Sequence, residues 1–417
     1  MTSIPLNQPL AADLSADHVP LSAPTKQSPH ILIIGGGVIG LTTAWFALDR
    51  GYRVTVISKE WASYGQGPRL ASQIAGALWE LPPAGCGPQA VQGKLHTCQR
   101  WALESLKIYR AMADSDLGKA FGVKMRLFTS FHTNRISDDQ LKSKKMELIR
   151  TEQLEDFEKG THLFQKYGVN PDSHGGLHDA YEHQAPIIDT DVAMAFLMEL
   201  IRSKGATLHT ANIQGDILDQ EGYLLETYGA DAIVNATGVM AREAATDNAV
   251  YCLRGGLLRL INDGTHFPKV NNAMLVSSET KFDGDFHDMA FIVPRNDNTL
   301  LLGSILHQDT WELNLTSDCP EILEMRGRCE DLFPALKNAK VDPVFPLAQG
   351  RRPMRRSHVR VEREERRMSR IVHSYGHGGA GWSLAFGSAR ETVRLVEKVL
   401  SEKAFSTGEI PKQLCKY

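Results

Sequence analysis

The sequence of 417 residues has little that would direct the chain to a membrane, a nucleic acid or a metal ion. No apolar run reaches the length of about 20 residues that a membrane-spanning helix needs. The net charge of −3 gives no sign of the basic surface that binds nucleic acid phosphates. The fifteen histidines form no HExxH pattern and the six cysteines no CxxC spacing, so no metal site is expected.

The sequence also lacks the signals of a serine hydrolase, of a secreted protein and of a peroxisomal protein. There is no GxSxG elbow, which removes the sequence support for a serine hydrolase. Residues 1–29 lack a basic segment followed by an apolar one, so we expect a flexible tail rather than a secretory signal. The scattered cysteines are then expected to be reduced thiols. The terminal Cys415-Lys416-Tyr417 differs from the SKL-type peroxisomal signal, and a cytoplasmic location is the resulting expectation.

The most informative feature present is the segment 30–60, HILIIGGGVIGLTTAWFALDRGYRVTVISKE. Two apolar runs, Ile31–Ile34 and Val54–Ile57, flank a glycine cluster and a helix-compatible stretch. This order of strand, glycine turn, helix and strand is typical of a dinucleotide-binding βαβ unit. The segment by itself leaves open whether the dinucleotide is FAD or NAD(P), and a glycine-rich turn in an ordinary α/β domain is the alternative.

Each glycine of this turn has a predicted role in holding a pyrophosphate. Gly35 allows a tight turn, Gly37 lets the backbone approach the phosphates, and Gly40 lets the helix pack against the strand. The helix N-terminus at Val38 and Ile39 offers backbone N–H groups and a partial positive charge to the phosphates. The carboxylate that follows the second strand, Glu60, is expected to accept hydrogen bonds from a ribose.

The length of the chain and its 42% hydrophobic residues predict two domains in an α/β fold. One is Rossmann-like and binds the dinucleotide. Short β-like runs between 250 and 310 predict a second, antiparallel sheet that forms the substrate domain. We assign 30–115, 185–245 and 346–405 to the dinucleotide domain, 116–184 and 246–345 to the substrate domain, and 406–417 to a C-terminal tail.

A second glycine-rich loop lies near the C-terminus and precedes a helix predicted from about Ser383 to Leu400. Its glycines, from Gly376 to Gly381, suit a loop that faces a cofactor with backbone N–H groups, although glycines also mark ordinary turns. Upstream, Arg352 lies in a basic run that composition alone would place at the surface.

Four blocks of the sequence together resemble the D-amino acid oxidase family over most of residues 30–402. They read, in order, IIGGGVIGLTTA (33–44), ASQIAGALW (71–79), IVNATGVMA (233–241), and GRRPMR with YGHGGAGWSLAFGSA (350–389). The first and third blocks occur in many flavin oxidases, whereas the second and fourth are more specific. The resemblance implies that the dinucleotide is FAD, bound non-covalently.

The resemblance also implies the residues of the site. Arg352 falls where the family places the arginine that grips the substrate α-carboxylate, through two parallel hydrogen bonds. The backbone of Gly379 is expected to accept a hydrogen bond from the substrate amine, so these two residues are the expected catalytic pair. Beyond the first turn, the residues that match FAD-binding positions are Lys59, Glu60, Ser72, Gln73, Gly76, Ala77, Leu78, Ile213, Gly378, Gly379, Ala380, Gly381 and Trp382.

Three positions on the substrate side depart from the family pattern. Phe291 replaces a tyrosine whose hydroxyl helps to hold the carboxylate, and a hydrogen bond to a charged group is worth about 1.5–3 kcal/mol. His287 is the nearest polar residue of a lid region, 277–287, that has no tyrosine. Glu80 stands where relatives carry a neutral residue, and its carboxylate is expected to disfavour acidic substrates and to favour cationic ones.

The resemblance implies oxidative deamination of a D-amino acid, neutral or basic rather than acidic. The expected products are a 2-oxo acid, ammonia and hydrogen peroxide, with O2 as the electron acceptor. The departures leave open an FAD-dependent oxidase of a secondary or pathway-specific amine, and a non-catalytic FAD-binding protein. A dehydrogenase that uses NAD(P) has only the first motif in its favour. A homo-oligomer is compatible with the sequence, and relatives are often peroxisomal.

Overall fold

The structure is a computed structural model that describes residues 15–16, 21–64, 69–83, 93–152, 156–276 and 289–407. Its helices are α1 (Val38–Asp49), α2 (Ala71–Ile74), α3 (Leu95–Ala113), α4 (Leu117–Phe121), α5 (Gln140–Thr151), α6 (His162–Tyr167), α7 (Thr190–Ser203), α8 (Glu221–Tyr228), α9 (Ala241–Ala244), α10 (Pro320–Leu332) and α11 (Gly381–Thr407). Its strands are β1 (His30–Ile34), β2 (Arg53–Ser58), β3 (Val123–His132), β4 (Glu158–Lys159), β5 (Asp179–Ile188), β6 (Thr207–Thr210), β7 (Ala232–Asn235), β8 (Val250–Ile261), β9 (Ala273–Val276), β10 (Ala290–Pro294), β11 (Thr299–Gln308), β12 (Leu347–Arg355), β13 (Arg360–Arg363) and β14 (Ile371–Tyr375). Of these residues, none forms a helix long and apolar enough to cross a bilayer.

The first sheet has six strands in the order β13-β14-β7-β1-β2-β6. Its pairings are parallel except that β13 runs antiparallel to β14. Every residue of β1 is buried, as expected for a parallel strand that is covered on both faces. The sequence prediction of a Rossmann-like α/β fold is confirmed.

Helices α1 and α11 pack against this sheet, while α3 packs against α11 and α7 packs against α1. Phe386 of α11 lies at the centre of their interface, with its ring centroid 5.8 Å from that of Trp45 and 5.2 Å from that of Tyr109. Helices α11 and α3 approach closely at Gly387, where an added Cβ would lie 2.3 Å from Trp101 Cα. Helices α1 and α11 each begin directly after one of the two glycine turns, so their packing in this layer holds both turns in position.

The second sheet has eight strands in the order β12-β8-β11-β10-β9-β3-β5-β4. Most of its pairs are antiparallel, as the sequence predicted, but β3 and β9 are parallel, which makes the sheet mixed. Strand β12 pairs with β8 along its whole length, with Gly350 opposite Gly255 and Arg352 opposite Leu253. Strand β12 lies within the range 346–405 that the sequence assigned to the dinucleotide domain, but it pairs within the second sheet.

Part of the predicted N-terminal tail packs against the end of α1. Ser15 Oγ donates to Asp49 Oδ2 over 2.9 Å, and the backbone N–H of Ser22 donates to the Asp49 carbonyl over 3.0 Å. These hydrogen bonds attach part of the segment predicted as a tail to the end of α1. The rest of that tail, at 1–14 and 17–20, and the C-terminal residues 408–417 lie outside the described residues.

Candidate active site

A cavity of about 670 Å³ lies between the two sheets. On one side it is bounded by the carboxyl ends of β1, β2, β7 and β14, the edge at which open parallel sheets bind ligands. On the other side residues of β8, β10, β11 and β12 complete the wall. The position predicts a ligand that extends from the glycine turn to the second sheet.

The first glycine turn leaves no room for side chains at two of its predicted glycines. Gly35 has φ +128°, and an added Cβ would lie 2.2 Å from the Ala236 carbonyl oxygen. At Gly40 an added Cβ would lie 1.9 Å from the Gly35 carbonyl oxygen, beneath the cavity rather than in its wall. Gly37 faces Ser72, whose Oγ accepts a hydrogen bond from the Val38 backbone N–H over 3.0 Å. This turn is a cradle that a pyrophosphate fits.

The residues that the sequence predicted on the ribose and adenine side lie together at one end of the cavity lining. Lys59, Glu60 and Ile213 all contribute to the lining. Ser58 holds the turn, because its Oγ donates to the Glu60 carbonyl over 2.5 Å and accepts from Gly36 N–H over 3.1 Å. These hydrogen bonds hold the backbone at Glu60 in position, while its side chain is exposed.

The second glycine loop reaches the same cavity and contacts the first half of the site. Gly378 has φ +56° in a short 3-10 turn that leads into α11, and Gly379, Gly381 and Trp382 line the cavity. The Trp382 indole Nε1 donates to the Ser72 carbonyl over 2.9 Å. This hydrogen bond directly connects the two segments that the resemblance predicts to lie beside a flavin.

The segment that follows α2 runs along the cavity because it pairs with β5. Trp79 N–H donates to the Pro186 carbonyl over 2.9 Å, and Ile188 N–H donates to the Ala77 carbonyl over 3.0 Å. Ala77 takes a left-handed conformation, with φ +50°. Because of these hydrogen bonds, the backbone of Gly76, Ala77 and Leu78 lines the cavity. The resemblance predicts that these three residues lie beside the flavin ring.

Three predicted site residues are not in the cavity lining. Gln73 is buried, and its side-chain amide donates to the Ser63 carbonyl and to Asp191 Oδ1 over 2.9 Å each. These hydrogen bonds connect α2, which contains Gln73, to the loop before it and to α7. Ala380 is buried inside the 3-10 turn. Gly40 supports the turn from below, and His287 lies outside the described residues.

Arg352 reaches the cavity at the end formed by the second sheet. Its Nη2 donates to Ser304 Oγ over 2.8 Å and its Nη1 to the Ile305 carbonyl over 3.4 Å. The guanidinium lies across Gly255, where an added Cβ would be 1.9 Å from Nη1. Sequence reasoning identified Arg352 but neither Gly255 nor Ser304, since nothing local marks a strand residue that meets another strand.

Phe291 forms the neighbouring part of this wall. Its ring packs on Gly76, where an added Cβ would lie 2.5 Å from ring atoms Cε1 and Cζ. Phe291 pairs with Gly303 across β10 and β11, which brings it next to Ser304. The position of the missing phenolic hydroxyl thus lies in the cavity lining, on the strand next to the one that carries Ser304.

Glu80 also lines the cavity, but its charge is compensated. Lys145 of α5 lies with Nζ 2.5 Å from Glu80 Oε1, and it also donates to the Pro83 carbonyl over 2.8 Å. The ion pair compensates the charge on which the expected preference for cationic substrates depends. No pattern in the sequence links these two residues, which are 65 positions apart.

Among the described residues, the histidine that lines the cavity is His377, and it is uncharged at neutral pH. Burial lowers the pKa of His377 to about 3, and its Nε2 lies 3.2 Å from Ser388 Oγ. Within the described residues no group of three His, Cys, Asp or Glu side chains is arranged to hold a metal ion. The described lining therefore combines glycine-rich backbone and apolar side chains with charged ones, among them Arg69, Arg351 and Arg352.

Comparisons with known proteins agree with this geometry. A family model described as FAD dependent oxidoreductase (DAO) matches residues 30–395. The D-amino-acid oxidase of Streptomyces coelicolor is 31% identical over 372 residues, which cover 89% of this chain and 97% of that protein. The D-amino-acid oxidase of Rubrobacter xylanophilus is 28% identical over 89% of this chain and 96% of its own. The crystal structure of glycine oxidase from Geobacillus kaustophilus superimposes with a TM-score of 0.66 at 19% identity, covering 89% of this chain and 95% of that one, which shows a shared fold.

Proposed function

We propose that this chain, which belongs to the DAO family of FAD-dependent oxidoreductases, catalyses the oxidative deamination of neutral D-amino acids. The products would be a 2-oxo acid, ammonia and hydrogen peroxide, with O2 as the acceptor. The observation that carries the proposal is the position of Arg352, which lines the same cavity as the two glycine loops. The cytoplasmic location, the small-molecule substrate and a homo-oligomeric assembly remain predictions from the sequence.

The residues present fit FAD. The cradle at Gly35, Gly37 and Gly40 would hold the pyrophosphate, Glu60 the ribose, and the loops at Gly76–Leu78 and Gly378–Trp382 the ring system. When bound, FAD supplies the acceptor for the hydride from the substrate Cα and passes the electrons to O2. The protein's own task is then to bind and orient the substrate.

Arg352 can orient the substrate through its carboxylate, because a guanidinium binds a carboxylate in a fixed plane. The Gly379 carbonyl would accept a hydrogen bond from the amine and so set the direction of the Cα–H bond. Phe291 supplies an apolar wall for the side chain. Catalysis of this kind depends on proximity and orientation, so it needs no side chain acting as an acid or a base.

The electrostatics support neutral substrates rather than acidic or basic ones. Lys145 and Glu80 compensate each other, so this pair presents no net charge to a substrate side chain. The expected preference for basic D-amino acids therefore has no support from Glu80.

The test is an anaerobic absorbance titration of the purified holoprotein with D-alanine, D-lysine, D-aspartate, the L-enantiomers and N-methyl amines. We expect D-alanine to bleach the FAD bands and D-aspartate not to. Arg352→Met should raise the KM for D-alanine by about 100-fold, since a charged hydrogen-bonding partner is lost, with FAD content unchanged. Arg356→Met is the matched control, because Arg356 is an exposed arginine whose Nη2 lies 3.6 Å from Asp309.

The alternatives would give different results in the same titration. The absence of the phenol at Phe291 is the observation that favours an oxidase of secondary amines, and bleaching by N-methyl amines alone would select it. FAD bands that no D-amino acid and no amine bleaches would contradict the proposed activity and favour a non-catalytic FAD-binding protein.

A further inference from the structure

We infer that Ser304 is a second substrate-binding residue, which donates a hydrogen bond from its hydroxyl to the α-carboxylate held by Arg352. The inference deepens the proposed function and rests on it. Ser304 lines the cavity, is only 2% exposed, and lies with its Oγ 2.8 Å from Arg352 Nη2. None of the sequence blocks that resemble the family includes this residue.

A register shift in the second sheet places Ser304 at this point. Leu302 pairs with Leu258 of β8, but Ile305 pairs with Gly256, so β11 carries one more residue than its partner over this stretch. A bulge of this kind interrupts the alternation of a strand and re-aims a side chain, often beside an active site. The irregularity thus explains how both Phe291 and Ser304 reach one cavity wall.

The hydrogen-bond capacity of the hydroxyl allows it to contact a carboxylate without losing Arg352. A hydroxyl has one donor and two acceptor positions, and Ser304 Oγ uses an acceptor position for Arg352 Nη2. Its proton is directed at the Ile305 carbonyl over 3.2 Å, an oxygen that also accepts from Arg352 Nη1. A bound carboxylate would be a stronger acceptor than this neutral carbonyl, so the hydroxyl would turn towards it.

Ser304 also occupies the neighbourhood of the missing phenol. Phe291 is directly opposite Gly303 in the β10–β11 ladder, and an added Cβ on Gly303 would lie 3.5 Å from Phe291 Cδ1. Ser304, the next residue after Gly303, therefore supplies a hydroxyl group close to the ring of Phe291, which carries no hydroxyl. We conclude that the carboxylate site keeps one hydroxyl donor, supplied from β11 instead of β10.

The experiment uses the holoenzyme and two readouts. We expect Ser304→Ala to raise the KM for D-alanine by about 10-fold to 100-fold, the range for a hydrogen bond to a charged group, with a smaller effect on kcat. The dissociation constant of acetate, a carboxylate that is not oxidised, should rise by a similar factor when followed by the absorbance of bound FAD. Ser130→Ala is the matched control, since Ser130 is a buried serine of the same sheet outside the cavity lining.

A second comparison separates direct contact from an effect through Arg352. If Ser304 touches the carboxylate, Ser304→Ala should still weaken acetate binding when it is introduced into Arg352→Lys. An effect that disappears in that background, or an unchanged KM and acetate affinity in Ser304→Ala itself, would overturn the inference. Acetate binding that depends on Ser304, in a protein that no D-amino acid reduces, would support the inference and reject the proposed function.

Discussion

Lys145 Nζ lies 2.5 Å from Glu80 Oε1, and the two side chains are only 11% and 14% exposed. Burial lowers the pKa of Lys145, but the charge of Glu80 outweighs it and raises the pKa above its ordinary value. A raised pKa means that, while Glu80 is ionised, the charge of Lys145 contributes stability at pH values below the ordinary lysine pKa, and that this contribution is lost as the pH rises through the raised pKa. The pair joins α5 to the wall of the active-site cavity.

Breaking this pair should both destabilise the protein and change its specificity. We expect Lys145→Met to lower the free energy of unfolding by about 3 kcal/mol, because it removes the cation that is paired with the buried Glu80 carboxylate. The uncompensated charge should also increase the ratio of kcat/KM for D-lysine to that for D-alanine. Chemical denaturation and steady-state kinetics measure the two effects.

An exposed pair provides the control for that variant. Lys124 lies 2.7 Å from Asp297, and both side chains are more than half exposed. Lys124→Met should cost less than about 1 kcal/mol and leave specificity unchanged. Equal losses of stability in the two variants would contradict the account of Lys145.

Restoring the phenol at position 291 should strengthen substrate binding. In Phe291→Tyr the new hydroxyl would reach the carboxylate site beside Arg352, so we expect the KM for D-alanine to fall by about 10-fold. The gain should be larger in a Ser304→Ala background, where the hydroxyl from β11 is missing. A KM that rises, or that stays constant in both backgrounds, would show that the position does not face the carboxylate.

Two helical glycines should respond in opposite ways to alanine. Gly40→Ala places a Cβ 1.9 Å from the Gly35 carbonyl oxygen, so we expect loss of bound FAD as well as of stability. Gly327→Ala in α10 meets no atom within 4 Å and should stabilise the fold by up to about 1 kcal/mol, through helix propensity, with FAD retained. Absorbance of the purified variants and thermal unfolding distinguish these outcomes, and full FAD content in Gly40→Ala would refute the role of this glycine.

A buried histidine should make stability fall at acidic pH. Burial lowers the pKa of His183 to about 4, and its Nδ1 donates to the Gln184 carbonyl over 2.9 Å, so the ring is neutral in the folded state. Between the ordinary histidine pKa of about 6.5 and this lower value the unfolded chain binds a proton that the folded chain does not. Stability is therefore unaffected above about pH 6.5 and is lost as the pH falls towards 4.

The corresponding variant is His183→Phe, which keeps an aromatic ring beside Tyr181 and Trp79. Its free energy of unfolding should fall less steeply between pH 6 and pH 4.5, by about 1.4 kcal/mol per pH unit. Urea denaturation at several pH values measures the slope. Parallel curves for the two proteins would exclude His183 as a source of the acid sensitivity.

Local sequence predicted the parts of the site that consist of one continuous segment. The runs around Gly35 specified β1, α1 and β2 because strand pattern, turn glycines and helix compatibility all act over a few residues. The cap of α7 is also local, because the Asp189 side chain accepts a hydrogen bond from the Asp191 N–H two residues further on. Most of the positions that the resemblance implied for FAD binding, from Ser72 to Trp382, line the cavity.

The sequence by itself therefore determined the family, the cofactor and the arginine that is the candidate for binding the substrate carboxylate. All three depend on short motifs with a fixed local geometry. The tertiary structure decided which residues surround that arginine and what charge they carry. Strand β12 joined the second sheet, the bulge in β11 turned Ser304 towards Arg352, and Lys145 cancelled the charge of Glu80. Each of these depends on pairing between segments far apart in the chain, where the energy comes from contacts that no local pattern encodes.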